Sequence, residues 1–221
     1  MTHPNPKIVF MANLVTLLRF FLLFVLVVMT YQTRYPWLQL ADMPLLVLVI
    51  SLDAVDGFVA RRFNETSLFG AIFDIIVDRV TENVLWIVLA DLRFIPVWVA
   101  IVFITRSLVV DSIRTTGAER GKAPFSMLNS GWGKFLVAGR FMRALYGALK
   151  VVTFGWILML QPWPRLMPSF WLQWGGFFKT LTGGLIYVTV AICIVRSIPV
   201  IVEFLIEQRV FEHLLGKKRL D

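Results

Sequence analysis

Four aspartates, Asp53, Asp56, Asp74 and Asp78, lie within or at the ends of apolar stretches of this 221-residue chain. A lone carboxylate at the centre of a membrane helix costs about 2.5–3.5 kcal/mol on insertion scales, so four close together need a compensating partner. Asp53 and Asp56 are three residues apart and Asp74 and Asp78 four apart, so each pair shares one helix face. The two helices are consecutive and joined by a short turn around residues 63–67. They are therefore expected as antiparallel neighbours, with all four carboxylates converging at one end. Clustered carboxylates repel one another unless cations bind, and hard oxygen ligands suit Mg2+ or Mn2+, as one ion or as two. The alternative partners are Arg61, Arg62 and Arg79, in structural ion pairs.

The elements that must hold these groups are membrane helices. Hydrophobic residues make up 58% of the chain, the mean hydropathy is +0.76, and charged residues are 16%, against roughly 25% in an average soluble domain. Six apolar stretches can be drawn, at about 14–32, 43–61, 68–91, 94–115, 134–160 and 178–207, and a spanning helix needs about 20 mostly apolar residues. The expected fold is all-α, a six-helix polytopic membrane protein with one membrane-embedded domain over residues 1–221. Tyr35, Pro36 and Trp37 mark a membrane–water boundary, and residues 161–177 mark another, too rich in Pro and Trp to continue a helix. Cys193 is the only cysteine, which excludes disulfide frameworks and cysteine metal sites, and its apolar setting points to packing. No cleavable signal peptide is evident, since no clear small-residue cleavage site follows the first apolar run. There is no internal repeat.

The net charge of +8 suits anionic lipid or phosphate ligands and the positive-inside bias, without nucleic acid. One side of a six-span layout carries Lys7, Arg61, Arg62, Arg114, Arg120, Lys122, Arg209, Lys217, Lys218 and Arg219. The other carries Arg34, Arg93, Arg165 and Lys179. The richer side is expected to be cytoplasmic, with both termini and the aspartates on it.

Around the aspartates the chain reads Asp53-Ala-Val-Asp56-Gly57-Phe-Val-Ala60-Arg61, then eight residues, then Gly70-Ala-Ile-Phe-Asp74-Ile-Ile-Val-Asp78. This resembles throughout the signature of the CDP-alcohol phosphatidyltransferases, D-x2-D-G-x2-A-R-x8-G-x3-D-x3-D. Asn13, Thr16 and Arg19 are similar to that family's N-terminal N-x2-T-x2-R element. The resemblance implies a homodimeric membrane enzyme that moves a phosphatidyl group from CDP-diacylglycerol to a small alcohol and releases CMP. It implies Asp53, Asp56, Asp74 and Asp78 as ligands of two Mg2+ or Mn2+ ions, with Asp78 also the base that takes the acceptor hydroxyl proton. Asn13, Thr16, Arg19, Gly57, Ala60, Arg61, Ser67 and Gly70 are implied as CDP contacts. Gly57 and Gly70 let a nucleotide approach the backbone, Ala60 leaves room one turn from Asp56, and Arg61 offers a planar fork to a pyrophosphate oxygen.

A second polar group is cationic. Arg106, Arg114, Lys134, Arg140, Arg143 and Arg196 lie in or beside the last three stretches, which contain few acids. Asp111 can pair with Arg114 at three-residue spacing. Arg143 and Lys150 suit snorkelling to the interface, whereas Arg106, Arg114, Lys134, Arg140 and Arg196 suit an acceptor phosphate. The runs from Ala60 to Gly70, Thr105-Arg106 to Arg114, and Gly133-Lys134 resemble phosphatidylglycerophosphate synthases, which makes glycerol 3-phosphate the leading acceptor. Ile75, Arg79, Leu136 and Val137 depart from that subgroup's usual Pro, Lys and Gly-Lys-x-Lys-Thr. Asp78-Arg79 is similar to inositol-using members, so inositol or inositol phosphate is the alternative. A membrane prenyltransferase would also bring Mg2+ to Asp-rich helices, but with different spacing and without Gly57-x-x-Ala60-Arg61. A transporter would show inverted repeats or paired broken helices, and neither is visible.

Overall fold

The computed structural model describes residues 6–32, 34–63, 68–119, 136–137 and 139–207. All the described secondary structure is helical: α1 (Pro6–Tyr31), α2 (Pro36–Gln39), α3 (Asp42–Phe63), α4 (Leu68–Asp91), α5 (Val97–Glu119), α6 (Arg140–Leu160), α7 (Trp163–Leu166) and α8 (Pro168–Glu207). Prolines punctuate the chain where a missing N–H costs nothing. Pro6, Pro36 and Pro168 open α1, α2 and α8, and Pro96 directly precedes α5. Between α4 and α5, Arg93 takes a left-handed conformation (φ 60°), and the Phe94 N–H returns to the Leu89 carbonyl at 2.9 Å. That pattern closes a helix, most often with glycine at the left-handed position.

The chain forms two compact units, Met1–Ala100 with Val152–Gly183, and Ile101–Val151 with Gly184–Asp221. In the first, α1 packs on both α3 and α4. The buried residues of α1 are Thr16, Arg19, Leu23, Leu26 and Thr30, spaced by three, four, three and four, which is one continuous helix face. Asp42, Leu46 and Val49 of α3 follow the same rhythm and are buried too. Leu14, Leu17, Leu18, Phe21, Phe24 and Val28 point outward from α1, as apolar residues do where the solvent is lipid. Farther along the unit, Trp86 of α4 is fully buried, with its ring 4.5 Å from that of Phe154 in α6.

Among the described residues, four segments are long and apolar enough to cross a membrane, Asn13–Tyr31, Pro36–Asp53, Arg140–Leu166 and Pro168–Ile206, and the protein is an integral membrane protein. The other two long helices carry the charge: Asp74, Asp78, Arg79 and Glu82 on α4, and Arg106, Asp111 and Arg114 on α5. The last long helix differs from expectation. It starts at Pro168 rather than near residue 178 and runs 40 residues, about 60 Å at 1.5 Å per residue. Its aromatic first part is helical because no proline follows Pro168 before Pro199, and Pro168 itself starts the helix instead of breaking one. Trp171 then lies over Gly175, whose missing Cβ leaves room for the ring, and stacks on Phe178. In the second unit, Cys193 is a buried thiol, and Tyr146 Oη donates to its sulfur at 3.4 Å.

Trp86→Ala removes the largest fully buried side chain and should cost about 3–5 kcal/mol, with Trp86→Phe costing much less. Thermal unfolding of the two variants in detergent checks this ordering.

Candidate active site

Three of the four predicted aspartates converge. Asp53 of α3 and Asp74 and Asp78 of α4 each offer one oxygen, and the three oxygens lie within 4.8 Å of one another. Asp74 and Asp78 reach one point because they are one helical turn apart. The side chains are half-exposed, at 41–49%, so solvent and substrate can reach them. Asp56, Gly57, Ala60 and Arg61 continue α3 beyond Asp53, but their side chains lie outside the described residues, as does Ser67. Gly70 stands one turn before Asp74 on α4.

The cation that the cluster demands comes from a helix that spacing alone did not point to. Arg19, buried at 2% exposure, sends Nη1 to Asp53 Oδ1 and Nη2 to Asp78 Oδ1 at 2.6 Å and to Asp74 Oδ1 at 3.3 Å. Arg79, one of the expected ion-pair partners, lies 3.7 Å from Glu82. The convergence of α3 and α4 thus runs through α1. Arg19 was expected beside CDP, and both its terminal nitrogens are on carboxylates. From the same element, Thr16 is buried one turn earlier on the same face, and Asn13 is half-buried. A signal for Arg19 was present in the sequence. A charged residue in the middle of an apolar run must find a partner, an opposite charge or a set of carbonyls.

The donor set fits a divalent cation. Three carboxylates face one guanidinium, and in their ionised forms they carry more negative charge than it can balance. The oxygens lie within 4.8 Å of one another, and the widest ligand separation around an ion bound at about 2.1 Å is roughly 4.2 Å.

The second unit gathers cations. Arg196 is 4% exposed, and it donates to the carbonyls of Met142 at 3.0 Å and Val137 at 3.4 Å. Its guanidinium stands 5.0 Å from the centre of the Tyr146 ring. Arg106 lies 5.3 Å from the same ring and donates through Nε to Ser197 Oγ at 3.1 Å. Arg106, Arg114 and Arg143 are all near enough to Arg196 to repel it. Lys150, expected at the interface, has Nζ 4.5 Å from the Tyr146 ring. Of the predicted acceptor residues, Arg106, Arg114 and Arg196 are brought together, Arg140 is exposed at the start of α6, and Lys134 lies outside the described residues. Tyr146, the platform for three cations, was not anticipated.

The sequence model of the CDP-alcohol phosphatidyltransferase family matches residues 9–195, and the chain belongs to that family. It is 26% identical over 167 residues to the CDP-diacylglycerol--glycerol-3-phosphate 3-phosphatidyltransferase of Salmonella choleraesuis (strain SC-B67), covering 74% of this chain and 81% of the relative. It is 27% identical over 176 residues to the Pseudomonas fluorescens protein of the same name, covering 78% and 82%.

Arg19→Ala should leave the carboxylates without their internal counter-charge. Because the acids are half-exposed, the cost should fall between that of surface and buried pairs, about 1–3 kcal/mol. Unfolding temperatures measured in chelator and in Mg2+ check it. The variant should gain more from Mg2+ than the wild-type protein, and equal gains would show that Arg19 and the cation do not share these oxygens.

Proposed function

We propose that this enzyme transfers the phosphatidyl group of CDP-diacylglycerol to glycerol 3-phosphate and releases CMP. The observation that carries this reading is the convergence of Asp53, Asp74 and Asp78, three fixed positions of the family signature, on one cation-sized space. The names of the Salmonella and Pseudomonas relatives support the acceptor, as does the arginine cluster around Tyr146. Inositol, uncharged, has no need of that cluster.

In this reading Asp53, Asp56, Asp74 and Asp78 hold two Mg2+ or Mn2+ ions. When bound, such ions neutralise charge on the pyrophosphate and on the departing CMP. Asn13, Thr16, Gly57, Ala60, Arg61, Ser67 and Gly70 hold the cytidine diphosphate. Arg19, expected as a further CDP contact, orients the carboxylates. Asp78 accepts the proton of the acceptor hydroxyl as its oxygen attacks the phosphorus bearing diacylglycerol. The new P–O ester bond forms, the phosphoanhydride P–O bond breaks, and CMP leaves with that bond's electron pair. Arg106, Arg114, Lys134, Arg140 and Arg196 bind the acceptor phosphate with charge-assisted hydrogen bonds. The protein is further proposed to span the membrane six times as a homodimer, with its termini and site on the cytoplasmic side. The Lys and Arg distribution supports that orientation.

The direct test is CMP release from CDP-diacylglycerol by purified protein, with glycerol 3-phosphate, inositol, inositol phosphate and serine as acceptors. Turnover should require Mg2+ or Mn2+ and be greatest with glycerol 3-phosphate, and full turnover in excess chelator would sink the reading. Asp78→Asn should lower kcat by at least about 100-fold, in the range of general-base losses, and largely spare CDP-diacylglycerol binding. Near-normal kcat over a range of pH would remove Asp78 as the base.

Arg106→Ala and Arg196→Ala test the acceptor site. A charge-assisted hydrogen bond contributes about 1.5–3 kcal/mol, so the glycerol 3-phosphate KM should rise about tenfold to a hundredfold, well beyond any change in the CDP-diacylglycerol KM. Initial rates at saturating co-substrate measure both, and equal small changes would indicate a structural role.

A further inference from the structure

The first unit has a second polar centre, built on the same faces of α1 and α3 and about 16 Å along them from the acid cluster. Thr30 lies eleven residues after Arg19, and Asp42 eleven before Asp53. Two glutamines from other elements join them. Gln39 of α2 and Gln161, just beyond α6, donate through Nε2 to the Thr30 carbonyl at 3.3 Å and 2.7 Å. The Thr30 hydroxyl faces the Asp42 carboxylate, yet its proton goes to the Leu26 carbonyl at 2.8 Å. Asp42 is fully buried, Gln39 is 1% exposed and Gln161 9%.

Four buried acceptor atoms here have no donor: Asp42 Oδ1 and Oδ2, Gln39 Oε1 and Gln161 Oε1. The amide orientations are fixed, since turning either glutamine over would set an oxygen against the Thr30 carbonyl. The N-terminus of α3 supplies a partial positive charge but no hydrogen bond to the Asp42 oxygens. Among the described residues Asp42 has no ion pair, and the cations on this side of the unit, Arg34, Arg93, Arg165 and Lys179, are exposed. A carboxylate buried this way is too costly to leave bare. A water molecule brings two protons for four acceptors and leaves the charge in place.

We propose that Asp42, Gln39, Gln161 and Thr30 bind a monovalent cation at the end of the first unit opposite the acid cluster. One carboxylate, two amide oxygens and a hydroxyl oxygen make an all-oxygen set with a single negative charge. A monovalent ion brings the site to neutrality, whereas a divalent ion would leave a buried positive charge. The site ties α1, α2 and α3 to the turn after α6, and its role is structural. It stands apart from the phosphatidyl-transfer reading, and its test reads stability instead of turnover.

Purified full-length protein in detergent, with Mg2+ and pH held constant, is melted across a series in which NaCl replaces N-methyl-D-glucamine chloride at fixed ionic strength. Na+ should raise Tm saturably, by about 3–6 °C once it exceeds its Kd tenfold. Asp42→Asn and Gln161→Leu should abolish that rise. Identical Tm for the wild-type protein in the two salts would overturn the proposal, and so would a full Na+ response in Asp42→Asn. Should Asp42→Asn fail to fold, Gln39→Leu takes its place beside Gln161→Leu, and a full Na+ response in both would overturn it too. A proton on Asp42 in place of the ion predicts no Na+ dependence, with Asp42→Asn as stable as the wild-type protein.

Discussion

The guanidinium of Arg19 fastens three helices at their acidic ends. It is buried on α1, and the oxygens it touches belong to α3 and α4, so each side of the interaction makes the other tolerable. An arginine in an apolar helix needs acids to satisfy it, and clustered acids in a membrane helix need a cation. Reciprocity of this kind sets which faces of α1, α3 and α4 meet, because a one-residue rotation on any helix swings its group about 100° away. The balance is deliberately incomplete in charge, since one guanidinium cannot neutralise three carboxylates. What remains is a fixed, half-exposed negative site able to receive further positive charge.

The pairing of α1 with α3 carries that logic along their length. Arg19 and Thr30 on one helix are separated by the same eleven residues as Asp42 and Asp53 on the other. Arg19 meets Asp53, and Thr30 faces Asp42. An antiparallel pair with equal spacings aligns both polar contacts at once. Between them the shared interface is apolar, with Leu23 and Leu26 against the side that carries Leu46 and Val49, all buried. A slip of either helix would break the Arg19–Asp53 bond and part Thr30 from Asp42 together. Apolar packing alone does not fix such a register, because neighbouring leucines are interchangeable in volume. The polar ends fix it.

Much of this was legible beforehand. Apolar length gave the helices, because a bilayer admits few other ways to satisfy a backbone, and residues 68–91 match α4 in full. The spacing of Asp53, Asp74 and Asp78 gave a shared site, because helical periodicity is a local property. What local pattern cannot supply is the identity of a partner distant in the chain. Arg19 is 34 residues from Asp53 and 59 from Asp78, and the nearer Arg61, Arg62 and Arg79 look equally able on charge alone. Composition also misled at residues 168–177, where tryptophan and proline suggested a boundary. The position of Pro168 at a helix start, and the bare Gly175 beneath Trp171, turn the same residues into helix. Tyr146 was missed because an aromatic in an apolar run has no signature that separates packing from a cation platform.

The arginines of the second unit obey a different rule from Arg19. Among the described residues, Arg196 and Arg106 take carbonyl oxygens, a serine hydroxyl and the face of Tyr146, with no carboxylate. Such partners replace water around a guanidinium and hold its plane in place, but they are neutral and leave its charge intact. Arg106, Arg114 and Arg143 then add mutual repulsion with Arg196. Folding energy is better served by dispersing like charges or by giving each an acid, and the first unit shows that this chain can do the latter. Arg196 and Arg106, held by neutral dipoles and repelling each other, cost folding energy. In the function proposed above, a phosphate ester with up to two negative charges would offset that cost, and the oriented guanidinium planes would make its recognition geometric as well as electrostatic.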